Sequence, residues 1–66
     1  MKLNLEIIRS KRVEKNLTLK DMAEKLNLSN ASNYQKYENG TYKFKAEMLP
    51  ILSEVLDEKI EKFFIH

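Results

Sequence analysis

The sequence predicts an all-α fold of five short helices around one small core, and three observations carry that prediction. Lys, Leu and Glu are the commonest residues, and all three are strong helix formers. The 66 residues hold one Gly and one Pro, which leaves few turns and suits a helical bundle. Apolar residues recur at three- and four-residue spacings, the period of a helix buried along one face.

The first helix is expected over residues 4–16. Asn4 is a capping residue, Leu5, Ile8 and Arg12 fall at i, i+3 and i+7, and Asn16 ends the helix with Leu17 turned inward. The Lys11 stem can cover apolar surface while its charge reaches water. The second helix spans 18–26. Thr18 can cap it, with Asp21 as the reciprocal partner of a capping box. Met22, Ala23 and Leu26 share one face, and Leu19 covers the edge of the core. Asn27 tolerates the left-handed conformation that closes a helix. Ser29 or Asn30 caps a third helix over 30–38, which ends at Asn39-Gly40, with Gly40 supplying a positive φ. Tyr34 and Tyr37 share a face with Ala31 or Asn30 and point to the core with their hydroxyls at its edge. Residues 39–45 form a loop. Pro50 must lie in or near the first turn of a fourth helix over 46–56, where its missing N–H costs little. Leu49, Leu52 and Val55 or Leu56 supply that helix's core face. A fifth helix is expected over 59–64, with Ile60, Phe63 and Phe64 apolar.

The second and third helices, joined by a tight turn, make a helix-turn-helix, which can present its second helix to the major groove of DNA. The residues Ile8-Arg9-Ser10-Lys11-Arg12, Leu17-Thr18, Met22-Ala23-Glu24-Lys25-Leu26 and Tyr37-Glu38-Asn39-Gly40, with Leu49-Pro50-Ile51-Leu52 and Phe63-Phe64 downstream, resemble the Cro/repressor-type (lambda-repressor-like, XRE) helix-turn-helix family of phage and bacterial regulators. The likeness runs over nearly the whole chain. It implies a compact five-helix lambda-repressor-like DNA-binding domain over residues 1–66, and a structural ion pair between Arg12 and Glu38 that orients the third helix on the first. Four departures stand out. Lys11 stands where the family usually places an apolar residue. Leu19 replaces a Gln that contacts a phosphate in many members. Asp57 and Glu58 replace the Gly and apolar residue often seen before the last helix. Within Ser29 to Ser32 the chain carries one residue more than the commonest spacing, which either lengthens the turn or starts the third helix one residue early. The facing of Asn30 and Ala31 stays open for that reason, whereas Ser32, Asn33 and Lys36 count back from the matched end.

The outward face of the third helix supplies the expected base-reading set, Asn30, Ser32, Asn33 and Lys36. Asn makes paired bonds to adenine, Lys reaches guanine acceptors and Ser serves several bases. Lys20, Ser29, Gln35, Asn39, Thr41, Lys43 and Lys45 are the expected phosphate contacts. Tyr42 either bonds a phosphate or packs; Phe44 anchors the loop, a wedge into DNA being the alternative. The net charge of +2 divides into +5 for residues 1–45 and −3 for residues 46–66, so one part suits a polyanion and the other keeps away from it. One short reading helix covers few base pairs, and a weak homodimer on an inverted repeat would supply the rest. Phe63, Phe64 and Ile65 are three consecutive apolar residues that one helix face cannot bury. Phe64 is expected in the core, leaving Phe63 or Ile65 as the dimer surface, with a frayed apolar tail as the alternative.

Other classes find little support. There is no Cys, and the one His is the last residue, so neither a disulfide framework nor a thiolate metal site is available. One Gly excludes a glycine-rich phosphate loop, and carboxylate pairs such as Glu58 and Glu61 lie on a charged surface. No catalytic residue, metal, cofactor or small-molecule ligand is expected. No apolar run approaches a membrane span and no signal-peptide core opens the chain, so the expected location is the cytoplasm. The function that follows is a sequence-specific double-stranded DNA-binding transcriptional regulator, a repressor of the small phage or mobile-element type. The alternative is a protein-binding module on the same fold, such as an antitoxin-like subunit or an inhibitor of a nucleic-acid enzyme. The polar outward face and the basic loop favour DNA.

Overall fold

Helix starts and stops follow local chemistry throughout the computed structural model, which describes residues 2–65. Helix α1 (Leu5–Glu14) begins where Asn4 Oδ1 accepts the Glu6 and Ile7 N–H groups at 3.1 and 3.4 Å. Helix α2 (Leu19–Lys25) opens on the expected capping box: the Asp21 N–H donates to Thr18 Oγ1 at 3.0 Å, and the Thr18 N–H donates back to Asp21 Oδ2 at 2.8 Å. The bond from the Thr18 backbone holds the Asp21 carboxyl below the usual carboxylate range. Asn30 caps α3 (Ala31–Glu38) by accepting the Asn33 N–H at 2.8 Å. Helix α4 (Met48–Leu56) has no side-chain cap; Pro50 occupies its first turn, where no N–H is needed.

All four helices end on a residue with positive φ: Asn16 (59°), Asn27 (58°), Gly40 (90°) and Asp57 (51°). After α1 the Leu17 N–H bonds the Arg12 carbonyl and the Asn16 N–H bonds that of Val13. The same crossed pair recurs as Leu28 to Ala23 with Asn27 to Glu24, and as Glu58 to Ser53 with Asp57 to Glu54. These are Schellman closures, in which Asn and Asp can stand where glycine is commonest. Asp57 thus does the work of the Gly it replaces. Gly40 is less exchangeable, because a Cβ there would lie 3.3 Å from Leu5 Cδ1 and its φ already disfavours a side chain.

The core gathers one stripe from each helix. Ile8, Met22, Ala23, Leu26, Tyr34 and Tyr37 are buried. On α4 the innermost residues are Met48, Leu52 and Leu56, at the i, i+4, i+8 spacing of one face. Leu49, expected inside, flanks that stripe and is partly buried; of the alternatives Val55 and Leu56, Leu56 is the buried one and Val55 is partly buried.

The chain end departs from expectation. In place of a fifth α-helix there is a 3-10 turn, Ile60–Phe63. It is followed by strand β2 (Phe64–Ile65), which pairs antiparallel with β1 (Lys2–Leu3) so that Leu3 faces Phe64 and Lys2 faces Ile65. The Asn4 N–H also bonds the Phe63 carbonyl. Asp57 closes α4 with a sharp turn, and the few residues after it gain more hydrogen bonds by joining the N-terminal strand than by one isolated helical turn. The aromatic roles reverse as a result. Phe63, expected at a dimer surface, is 0 % exposed and fills the core, whereas Ile65 is 52 % exposed and Phe64 is half-buried. His66, the single histidine, lies outside the described residues.

Lys11 does more than reach water. Its ammonium lies 3.2 Å from Glu58 and 3.8 Å from Glu14, and the bond with Glu58 raises its pKa. Lys15 lies 3.6 Å from Asp57. Both residues that depart from the family pattern before the last turn therefore meet lysines at the end of α1, Lys11 in its last turn and Lys15 as its cap, although ion pairs this near the surface add little stability. Among the described residues, no helix is long and apolar enough to cross a membrane.

Candidate nucleic-acid interface

Helices α2 and α3 are held together by Met22, Ala23, Leu26, Tyr34 and Tyr37, all buried, with Leu28 partly buried between them. Residues 26–30 connect the two helices, against the three or four of a usual helix-turn-helix. The extra residue therefore lengthens the turn, and α3 starts at Ala31 with Asn30 as its cap. Ala31 is half-buried on the side of Tyr34. Ser32, Gln35 and Lys36 are exposed, and Asn33 is half-exposed. At about 100° per residue Ser32, Gln35 and Lys36 share the arc opposite the two tyrosines, and Asn33 lies at its edge, about 40° from Tyr37.

Some expected base readers have internal work. Asn30 Oδ1 is committed to the cap, which leaves its amide N–H2 as the group free for a base. Asn33 Nδ2 donates to Ser29 Oγ at 3.2 Å, so these two exposed polar groups hold each other across the start of α3.

The orientation of α3 rests on a charged clamp. Arg12 Nε lies 2.9 Å from Glu38 Oε2 and its Nη2 3.0 Å from Oε1, while Nη1 donates to the Leu17 carbonyl at 2.9 Å. The two side chains are 13 % and 7 % exposed. Forked geometry of this kind fixes angle as well as distance, so α1, the end of its closing turn and the end of α3 are locked as one unit. Beside it, the Tyr34 hydroxyl is buried and finds no hydrogen-bond partner among the described residues. Burial, reinforced by the nearby Glu38 carboxylate, pushes its pKa well above the ordinary phenol value.

The loop after α3 is pinned by its aromatic residues. Phe44 is partly buried against the rings of Tyr37 and Tyr34, at 5.5 and 6.3 Å between centroids, which anchors the loop to the core. Tyr42 packs edge-on against Tyr37 at 5.4 Å, and its N–H bonds the Lys36 carbonyl at 2.9 Å. The Lys36 ammonium sits 5.5 Å from the Tyr42 ring centroid, a cation–π contact between the outward face of α3 and the loop. Asn39 Oδ1 accepts both the N–H and the hydroxyl of Thr41, at 3.0 and 2.7 Å. The Thr41 hydroxyl has thus already given its hydrogen. Lys43 and Lys45, and Lys20 on α2, are exposed.

A family model described as helix-turn-helix matches residues 8–63. The chain belongs to the Cro/repressor-type helix-turn-helix family. Members of this family are DNA-binding transcription regulators. Neither the curated proteins nor the solved structures give a significant match. In this helix-turn-helix chain the matched span runs from buried Ile8 to buried Phe63, and it includes the Arg12–Glu38 clamp and all of α2 and α3.

Two features escaped the sequence. Arg9 is exposed and lines a recess of ≈350 Å³ with Leu19, Gln35 and Asn39, beside the Arg12–Glu38 clamp. Its spacing of three from Arg12 was the available signal, since i and i+3 share a helix face. The stacking of Lys36 on Tyr42 had no such signal, because it depends on how the loop folds back.

Proposed function

We propose that this protein is a sequence-specific regulator, a repressor of the small phage or mobile-element type, that reads the major groove with α3 and binds an inverted repeat as a weak two-fold dimer. The observation that carries the proposal is the outward arc of Ser32, Gln35 and Lys36, with Asn33 at its edge, held by the Arg12–Glu38 clamp beside the exposed Lys43 and Lys45. A rigid polar helix face with cations at its margin suits base edges flanked by phosphates. Arg9 is a further phosphate contact on this reading, in the place beside α3 that Leu19 cannot serve. Two copies then present their α3 helices about 34–36 Å apart, one turn of DNA.

The deciding experiment is selection of bound duplexes from a random pool at near-physiological salt. Enrichment of an inverted repeat is the expected result, and no enrichment would move the protein to the protein-binding class. With a selected site in hand, Asn33→Ala or Ser32→Ala is expected to relax preference at one half-site position, at about 1–3 kcal/mol for a good paired contact. A loss of equal size on every sequence would instead make these residues backbone-positioning groups. Binding should also weaken steeply with salt, each phosphate contact contributing about −0.9 to the log–log slope. Lys43→Ala should reduce that slope by about 1 while leaving the preferred sequence unchanged; an unaltered slope would remove Lys43 from the interface.

A further inference from the structure

Four rings run outward from the core to the edge of the α3 face. Tyr34 and Tyr37 are buried, Phe44 is partly buried against both, and Tyr42, set edge-on against Tyr37, is 43 % exposed. The Tyr42 ring is thus anchored through Tyr37 to the core and still open to water. Gly40, at positive φ, turns the chain back along α3, and the Tyr42 N–H reaches the Lys36 carbonyl at 2.9 Å. That bond brings the ring beside the Lys36 side chain, whose ammonium lies 5.5 Å from the ring centroid. A lysine stem at an exposed position loses much rotamer freedom when a base fixes it, and a contact that fixes it beforehand removes part of that loss from binding. An aromatic face attracts an ammonium without neutralising it, so its charge and N–H donors stay available to guanine acceptors. A carboxylate in the same place would compete with the base.

We propose that Tyr42 is a positioning residue for base reading: its ring holds Lys36 in the conformation that meets guanine, so a loop residue that touches no base sets the preference at the base pair Lys36 reads. The inference rests on the DNA reading above and deepens it at one position. It differs from both roles that the sequence leaves open for Tyr42. A hydroxyl on a phosphate would strengthen binding to every sequence alike, and packing alone would act on stability.

The test compares the parent with Tyr42→Leu, Tyr42→Phe and Lys36→Met. The Tyr42 N–H, and with it the bond to the Lys36 carbonyl, is present in all of them, so the comparison reads the side chains. In NMR spectra without DNA, the ring should move the Lys36 ε-methylene protons upfield of those of the other lysines. Tyr42→Phe should keep that displacement and Tyr42→Leu should abolish it. With DNA, the selected duplex competes against duplexes in which each base pair is replaced in turn. Lys36→Met should relax preference at one half-site position. Tyr42→Leu should lower discrimination at that same position by about two- to fivefold, the ratio that corresponds to a cation–π contact at an exposed site, and leave the other positions unchanged. Tyr42→Phe should discriminate like the parent. Discrimination is a ratio, so any general loss of affinity through loop packing cancels from it. The proposal is overturned if Lys36 shows no upfield displacement in the parent, or if Tyr42→Leu discriminates like the parent. It is also overturned if Tyr42→Phe loses as much as Tyr42→Leu, which would give the role to the hydroxyl. A Lys36→Met effect without a Tyr42→Leu effect sinks this inference alone, whereas failure to select any duplex sinks the DNA reading and this inference with it.

Discussion

Arg12→Met is expected to destabilise the protein by about 3 kcal/mol, and Glu38→Gln by a similar or smaller amount. The pair is 13 % and 7 % exposed, so removing either partner leaves the other charge largely cut off from water. The arginine variant loses more, because it also strips the Leu17 carbonyl of its bond from Nη1. The Glu38 variant keeps that bond. With both changes made, no lone charge remains, and the combined cost should fall below the sum of the single costs. Denaturant melts of the parent, both single variants and the double variant provide the check. Strict additivity would show that the two groups do not act as a pair. DNA affinity should fall with each single change even where the protein is still folded, because the clamp sets the angle of α3 rather than touching a base.

Phe63→Ala should be at least as damaging, at about 3–5 kcal/mol. Phe63 is 0 % exposed and sits where the 3-10 turn, α1 and α4 converge. In a chain of 66 residues, whose single core supplies about 3–5 kcal/mol of net stability, that loss is enough to unfold most of the population at room temperature. Ile65→Ser, two residues on, should stay within about 0.5 kcal/mol, since Ile65 is already half in water. Thermal melts of the two variants side by side test the placement of the chain end. Equal effects would mean that Phe63 is not the core residue, and a Phe64→Ala variant less stable than Phe63→Ala would restore the assignment expected from sequence.

Much of this protein was legible in its residues because the relevant forces act within four positions of the chain. Asn4, Thr18 and Asp21 cap helices through bonds that span two or three residues. Asn16, Asn27 and Gly40 end them because each tolerates a left-handed backbone. The burial of Tyr34 and Tyr37, and the outward facing of Ser32 and Lys36, follow from helical period; the same period puts Asn33 at the flank beside Tyr37. The Arg12–Glu38 clamp was different: no local rule links residues 26 apart, and only the family resemblance pointed to it.

Tertiary structure decided what local rules left degenerate. Three consecutive apolar residues carry no period, so nothing near Phe63, Phe64 and Ile65 says which one is buried. The choice is made by β1, which arrives from the other end of the chain and draws Phe64 and Ile65 into a strand. The extra residue near Ser29 could equally have entered the turn or the helix, until packing of Tyr34 against α2 set the register and left Asn30 as the cap. Lys11 found Glu58, and Lys36 found Tyr42, because folding brought distant segments into contact. Sequence alone determined where each helix could begin, end and bury a face, since those interactions are short-ranged; the core aromatic, the strand pair and the fixed angle of α3 came from contacts that exist only once the chain has folded.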